Sequence, residues 1–492
     1  MQTLLHKTLP ALQPLTFLFG LLVIGITSGC KVGPDYKRPA IATPAQWRTE
    51  TPSAESLANL PWWEVFNDSV LTNLIATAIQ NNQDLRIAAA RVEQALGNYR
   101  IQRASLVPWL NGSADWTRGR SGITGQTSGQ FDVFGSLSYE IDFWGRLRRL
   151  TESARAQLLA SEEAKKNVYI TLVAQVASTY FNLRALDEQL AIAHQTYVSR
   201  TNSLELTRVK YDNNYGIVSE LDVRQAESQV YAAQSSIVEL ERAVATTENA
   251  LNFLLGGNPG PIERGRAIAE QHQPATIPAG LPSDLLLRRP DILAAEQRLI
   301  AANANIGAAR AAYFPTISIT AALGLQSVQL QDLFSAGTSK AWNFAPQIAG
   351  PIFNGGRIRA GVQVAEAQNR ELLAAYEQTI QNAFREVDDA LITVGKLREQ
   401  ITISEATVTS ERRRLQLSLD RYENGVSGYL DVLDAERALF SAQLSLAQAR
   451  GDILSAISLA YKALGGGWGP QPDSNMSKPS STTLNHEQTS RL

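Results

Sequence analysis

The stretch Phe131-Asp-Val-Phe-Gly-Ser-Leu-Ser-Tyr-Glu-Ile-Asp-Phe143 puts Phe131, Val133, Gly135, Leu137, Tyr139, Ile141 and Phe143 at odd positions, and Asp132, Ser136, Ser138, Glu140 and Asp142 at even ones. Side chains on a strand point alternately to its two faces, so this pattern predicts a β-strand with one apolar and one polar face. Thr316 to Leu325 repeats it, with Ile317, Ile319, Ala321, Leu323 and Leu325 alternating with Thr316, Ser318, Thr320, Ala322 and Gly324. Weaker versions run from Leu110 to Trp116 and from Trp342 to Ile348. Each segment is about the 9 to 11 residues of a tilted membrane-crossing strand. Aromatic residues near the ends (Trp109, Trp116, Phe143 and Trp144; Phe314, Trp342 and Phe353) fit an interfacial girdle. The alternation fits a half-buried antiparallel sheet in water equally well. Four strands are fewer than the roughly eight of the smallest membrane barrels, and open edges are not tolerated in lipid. If the strands span, the chain must oligomerise, with two, three or more copies all allowed by the arithmetic.

What flanks the strands is helical. No proline occurs between Trp109 and Asn258 or between Ile352 and Gly469, and proline is the strongest helix breaker. Leu147 to Lys210 contains neither Pro nor Gly and could run roughly 95 Å as one helix, longer than any compact core. Arg357 to Arg421 is its partner, with Gly361 and Gly395 as places to bend. A turn and a second helix follow each, near Glu220 to Leu255 and near Tyr429 to Leu464, which makes two long hairpins. A plain coiled coil would account for the hairpins but not for the strands.

The chain reads as a duplication. Asp84 precedes Pro108, and Asp291 precedes Pro315, by the same spacing across Ala-rich sequence. Phe143-Trp-Gly-Arg-Leu-Arg148 echoes Phe353-Asn-Gly-Gly-Arg-Ile-Arg359, and Lys210-Tyr211 echoes Arg421-Tyr422. Leu221-Asp-Val223 matches Leu430-Asp-Val432, and Leu255-Gly-Gly257 matches Leu464-Gly-Gly466. The expected organisation is a leader over 1–29, an extended segment over 30–62, repeat 1 over 63–257, a Pro-rich linker over 258–282, repeat 2 over 283–468 and a polar, disordered tail over 469–492.

Composition removes several classes. The chain has 492 residues with 45 Lys+Arg against 47 Asp+Glu, so no basic surface favours nucleic acid. After residue 29 no apolar run approaches the roughly 18 residues of a spanning helix, which excludes a helical membrane transporter. One Cys, four His and two Met exclude a disulfide scaffold and disfavour a soft-metal site. His194, His272 and His486 are isolated, Gly425-Val-Ser-Gly428 stops short of a nucleophile elbow, and Gly465-Gly-Gly467 lacks the Lys and Ser/Thr of a phosphate loop. No enzymatic activity, cofactor or metal is expected.

The single cysteine sits at the end of a leader. Lys7, the apolar stretch Leu15 to Ile26 and the small residues Thr27, Ser28 and Gly29 precede Cys30. This resembles the bacterial lipoprotein signal, although Leu is preferred where Thr27 stands. The resemblance implies a mature chain starting at Cys30, with N-acyl diacylglycerol lipid on it; the alternative is an ordinary secretory signal and an unpaired thiol. Lys31 after the cysteine, in place of the Asp of the inner-membrane retention signal, points to the outer membrane. Several acyl chains on one residue anchor durably.

Val32-Gly-Pro-Asp-Tyr-Lys-Arg-Pro39, Leu287-Arg-Arg-Pro-Asp291 with Ala295-Glu296, and Ala463-Leu-Gly-Gly-Gly-Trp468, together with the duplication, resemble the outer-membrane efflux proteins of the NodT lipoprotein branch. The resemblance implies a mixed α and β, TolC-like homotrimer. Its 12-stranded outer-membrane β-barrel, four strands per chain, would continue into a long periplasmic α-helical barrel, with the 256–282 segment and the termini forming an equatorial region. It implies a passive exit duct of a tripartite system, served by a periplasmic adaptor and an inner-membrane pump of the resistance-nodulation-division type. A polypeptide-secretion outlet and a non-channel adaptor lipoprotein are the alternatives.

Such a duct needs a closure, expected at the helical tips, at the turns 211–222 and 422–431. The resemblance transfers constriction to Leu430 and Asp434, with Asp431 beside them, and places adaptor docking at the tips marked by Tyr211, Gly216, Tyr422 and Gly425. Asp431 and Asp434, three apart, share a helix face. Symmetry would make each a ring of carboxylates that favour cations and raise one another's pKa. An Asp after a turn also commonly caps a helix. Asp434 is matched by Gln225 in repeat 1, so only one hairpin supplies that ring.

Overall fold

The computed structural model describes residues 31–49, 68–123, 125–213, 218–271, 273–274, 277, 279–280, 282–335 and 339–466. Cys30 with its leader, Gly216, His272 and the tail lie outside the described residues.

Helices α1 (Ser69–Asn81) and α2 (Gln83–Ala104) lead into strands β1 (Trp109–Arg120) and β2 (Thr127–Ile141), then α3 (Arg146–Asp212) and α4 (Glu220–Leu254). The same order recurs in α5 (Leu285–Arg288), α6 (Pro290–Ala311), β3 (Thr316–Ser327), β4 (Lys340–Ala349), α7 (Arg357–Glu423) and α8 (Tyr429–Ala463). α2 and α6 have 22 residues each, α3 and α7 have 67, and α4 and α8 have 35, so the duplication is exact in the length of these three helix pairs, while α1 (13 residues) and β2 (15) are longer than α5 (4) and β4 (10). At about 1.5 Å per residue the long helices reach about 100 Å. The break between α1 and α2 at Asn82 is not apparent from residue pattern alone.

The repeated motifs are helix ends. In Leu255-Gly-Gly257, Gly256 N–H donates to Phe253 O (3.0 Å) and Gly257 N–H to Asn252 O (2.9 Å). In Leu464-Gly-Gly466, Gly465 N–H donates to Lys462 O (2.9 Å) and Gly466 N–H to Tyr461 O (3.1 Å), so both close a Schellman motif. Gly256 has φ +75°, and a Cβ there would lie 2.3 Å from Asn81 O. Only glycine lets α4 end against the end of α1. The neighbouring cap residues are also equivalent. Asn82 Nδ2 donates to Leu254 O (2.9 Å) and Arg289 Nη1 to Ala463 O (2.9 Å), each tying the start of a shorter helix to the last carbonyls of a hairpin.

The strands form one antiparallel sheet in the order β1-β2-β3-β4. Register places Leu110 opposite Leu137, Val133 opposite Leu325, Ile141 opposite Ile317, and Leu323 opposite Trp342. One continuous apolar face results, as the alternation predicts. Asp132, Ser136, Ser138, Ser318, Thr320 and Gln326 share the other. Phe134 breaks that polar face because its ring covers Gly324, where no side chain stands. β1 runs beyond Trp116 to Arg120 through polar residues, since its ladder continues opposite Thr127 to Gln130. The aromatic girdle is partly a stack. Trp144 lies over Phe314 (4.4 Å between centroids) and edge-on to Phe143 (4.9 Å), and donates to Pro315 O (2.8 Å), binding the two repeats at one end of the sheet. At the other end Trp116 stacks on Phe131 (6.0 Å).

The largest core lies midway along the hairpins. Leu71 and Ile75 of α1, Val176, Tyr180 and Leu183 of α3, Ile268 of the linker, Leu285 of α5, and Ile453 and Ile457 of α8 are buried together. A strap, 31–49, runs down from the top of α3. Arg149, 1% exposed, donates to Val32 O (3.1 Å), Gly33 O (3.0 Å), Asp35 (3.0 Å) and Glu152 (3.1 Å). Farther along, Arg38 donates to Glu296 Oε1 (2.6 Å), and Trp47 packs on Phe384 and donates to Gly280 O (2.8 Å). Arg149→Ala leaves two strap carbonyls and the exposed Asp35 without their donor, while Glu152 keeps Lys31 (2.7 Å), a loss of about 2 kcal/mol. The expected result is faster tryptic cleavage after Lys37, with the strands still protected.

Candidate gate at the hairpin tip

Each hairpin ends in a turn, and the second turn, 424–428, is described throughout. There, Gly425 has φ +70°, its N–H donates to Tyr422 O (3.1 Å), and Val426 N–H donates to Arg421 O (2.9 Å), another Schellman closure. A Cβ on Gly425 would touch nothing within 4 Å, so its requirement is purely conformational. Gly425→Ala is expected to cost about 1–2 kcal/mol of local strain. Hydrogen exchange should accelerate at 424–428 and not in the strands.

Beneath the turns, Leu204, Val223, Ala226, Val230, Tyr422, Tyr429, Val432 and Leu433 form a small separate core. Tyr422 is therefore buried, its ring 5.2 Å from that of Tyr429 and covered by Lys210 Nζ at 4.8 Å, while Tyr211 is exposed. Of the expected docking residues, Tyr211 and Gly425 present surface; Tyr422 contributes packing. Burial pushes the Tyr429 hydroxyl up to about 12.

Leu430 is exposed and Asp434 half-exposed, and they line one groove of about 230 Å³ with Gln225, Ser228, Gln229, Leu433 and Arg437. Both constriction candidates thus face the same space, as does Gln225, the repeat-1 counterpart of Asp434. Capping separates the two equivalent aspartates. Asp222 accepts from Ser219 N (2.8 Å) and Ser219 Oγ (2.8 Å) in a capping box. α8 starts instead at Gly428, which has no capping side chain, and the Asp431 carboxylate has no partner among the described residues. The capping reading holds for Asp222 and not for Asp431.

Asp434 is not a bare carboxylate. Arg414 of α7 donates to its Oδ2 and Arg437 to its Oδ1 (2.7 Å). These guanidinium groups, Arg414 first, hold its carboxyl below the usual aspartate range. Within one chain the shift therefore runs opposite to the one expected from a carboxylate ring. Arg437, three residues on, could have been found from helical spacing. Arg414, twenty residues earlier on the facing helix, could not. The pairing makes Asp434 a tie between the two helices of the second hairpin as well as a groove residue.

Among the described residues no group of His, Cys, Asp and Glu could hold a metal ion, and no helix is long and apolar enough to cross a membrane. A four-stranded sheet with an apolar face, set on two hairpins of 67- and 35-residue helices, defines the TolC-like class of outer-membrane channel. The chain belongs to the outer membrane efflux protein family, whose model matches residues 74–257 and 281–466. It is 42% identical over 467 residues to the solvent efflux pump outer membrane protein SrpC of Pseudomonas putida, covering 92% of this chain and 97% of that one. It is 40% identical over 451 residues to the cation efflux system protein CusC of Escherichia coli O157:H7, covering 90% and 96%. A crystal structure of CusC superposes with TM-score 0.82 at 38% identity, covering 89% of this chain and all of that one. The open state of the Neisseria gonorrhoeae MtrE outer membrane channel does so with TM-score 0.81 at 34% identity, covering 89% and 99%. The protein is an outer-membrane efflux channel.

Proposed function

We propose that three copies close β1 of one chain onto β4 of the next, making a 12-stranded barrel that continues into a helical duct, and that this duct passes small molecules without chemistry of its own. The observation that carries the reading is the sheet. β1 and β4 are exposed edges, and a sheet with an apolar face cannot keep unpaired edges in lipid. Pro346 suits the edge position of β4, since it lacks a ladder donor. Lipid on Cys30 anchors the chain at the outer membrane, and the strap from Lys31 carries that anchorage to α3 and α6. Energy comes from an inner-membrane pump, of resistance-nodulation-division type, through a periplasmic adaptor. Leu430, Asp431 and Asp434 form the closure, and the exposed tip around Tyr211 and Gly425 meets the adaptor.

Photoreactive residues at Tyr211 and Val426 test the docking end in cells. Val426 is exposed and, unlike Gly425, does not need a positive φ. Crosslinking to a periplasmic adaptor, with the pump recovered alongside, is the expected outcome. Capture of no protein at the tip, with the channel correctly placed in the outer membrane, would reduce the chain to a self-standing pore.

A further inference from the structure

Glu227 and Glu436 occupy equivalent positions in the duplicated hairpins, seven residues into α4 and into α8, yet their surroundings are opposite. Glu227 is fully engaged, accepting from Arg208 and from Arg224 Nη1 (2.9 Å). Glu436 is buried on the seam where α8 packs against α3. Its Oε1 has one long contact with Ser203 Oγ (3.4 Å), and its Oε2 has no partner among the described residues. Across the seam, Arg200 is also buried. Its Nη1 donates to Gln229 O (3.0 Å) and its guanidinium lies 5.3 Å from the Phe440 ring, but its Nε is unpartnered. The two opposite charges therefore influence each other while each keeps an unsatisfied polar atom out of water. They line a groove of about 340 Å³ between α3, α7 and α8, one turn from Leu204 and Leu433 of the tip core.

We propose that Arg200 and Glu436 are positioning residues for the gate: a deliberately under-satisfied charge couple on the inter-hairpin seam that lowers the cost of parting α8 from α3. The inference rests on the channel reading. A buried polar atom without a partner carries its full desolvation cost, which is relieved once the seam parts and water reaches it. Replacing such a couple by apolar side chains of similar size removes that cost, whereas deleting one member leaves the other charge buried alone. The two changes act on the packed seam with opposite sign.

Acid acts on the same couple. Burial raises the Glu436 carboxyl above its ordinary value of 4.5, with Arg200 and Ser203 opposing. The groups facing it are Arg200 from α3, Arg412 at the groove rim from α7 and Tyr429 from α8 itself, while α4 offers the neutral Gln229. A carboxyl whose pKa is higher in the packed seam than in water binds its proton more tightly there, so falling pH favours the packed seam. Asp434, held low by its arginines, does not change charge in that window.

The test is single-channel recording of the full-length protein, extracted from outer membranes and placed in planar bilayers, at pH 7 and near pH 5. The double variant Arg200→Met with Glu436→Leu is expected to lower the open fraction roughly tenfold and to abolish its acid response. Glu436→Leu alone is expected to raise the open fraction. Both carry the same leucine, so a folding defect caused by it would move both in one direction. Wild-type channels whose open fraction and acid response persist in both variants, or variants that shift together, would overturn the inference while leaving the channel reading intact. Wild-type protein that never conducts would remove the channel reading and this inference with it.

Discussion

Gly324→Val abolishes the assembled channel while leaving the helical hairpins folded: this is the expected result at the seam where the two repeats pair strands within one chain. Gly324 lies opposite Phe134 in the β2–β3 ladder. A Cβ there would stand 2.0 Å from Val133 O and 2.7 and 2.8 Å from the ring and Cα of Phe134. Two of these three obstacles are backbone, so no rotamer change relieves the clash. The strand must move, and moving it breaks the alignment of Val133 with Leu325 and Leu137 with Ala321 on which the apolar face depends. Overpacking usually costs about 1–3 kcal/mol, and every copy in the barrel repeats it. Heat-modifiable migration of the assembled protein should disappear, while helical circular dichroism is retained. Gly97→Val, at a helical glycine with nothing within 4 Å of its Cβ position, should leave assembly in place.

The second large effect is expected at Asp434. Asp434→Ala removes both ties to Arg414 and Arg437 and leaves the Arg437 guanidinium as the one charge lining the groove beside Leu430. Two changes follow. The resting tip loosens because α7 and α8 lose their shared charge pair, raising resting conductance severalfold. The groove also changes from mixed charge to net positive, lowering or reversing its cation preference. Asp434→Asn keeps the shape but not the charge, so it should reproduce the selectivity change with a smaller rise in conductance. The pairing depresses the Asp434 carboxyl, so its contribution is present at neutral and mildly acidic pH and fails only as pH falls through that depressed value. A wild-type conductance and cation preference in Asp434→Ala would remove it from the gate.

Much of this arrangement is legible in the residues themselves. Period-two alternation locates β2 and β3, proline-free stretches bracket the long helices, and repeated Leu-Gly-Gly and Phe-x-Gly motifs mark helix ends. Local physics governs those features, so local sequence carries them. The polar half of β1 was less visible, because Thr117 to Arg120 is held by its ladder and not by an apolar face. Phe134 on the polar face makes sense only beside Gly324, 190 residues away in the chain. The candidate gate shows the same division. Leu430, Asp431 and Asp434 are placed by motif and spacing, but whether each carboxylate is a cap, a tie or free depends on Ser219, Gly428 and Arg414. The contrast between Glu227 and Glu436 is partly local, since Arg224 stands three residues before Glu227 where Leu433 stands before Glu436; Arg208, from the facing helix of the same hairpin, is the part that spacing does not show.

In the proposed assembly several chains jointly enclose one pore. Native mass measurement on detergent-extracted protein, with the same preparation inserted into planar bilayers, tests it most directly. The expected result is a trimer, with discrete conductance steps that appear only in fractions containing it. A stable monomer, or a trimer that leaves the bilayer insulating at every pH and voltage, would contradict it.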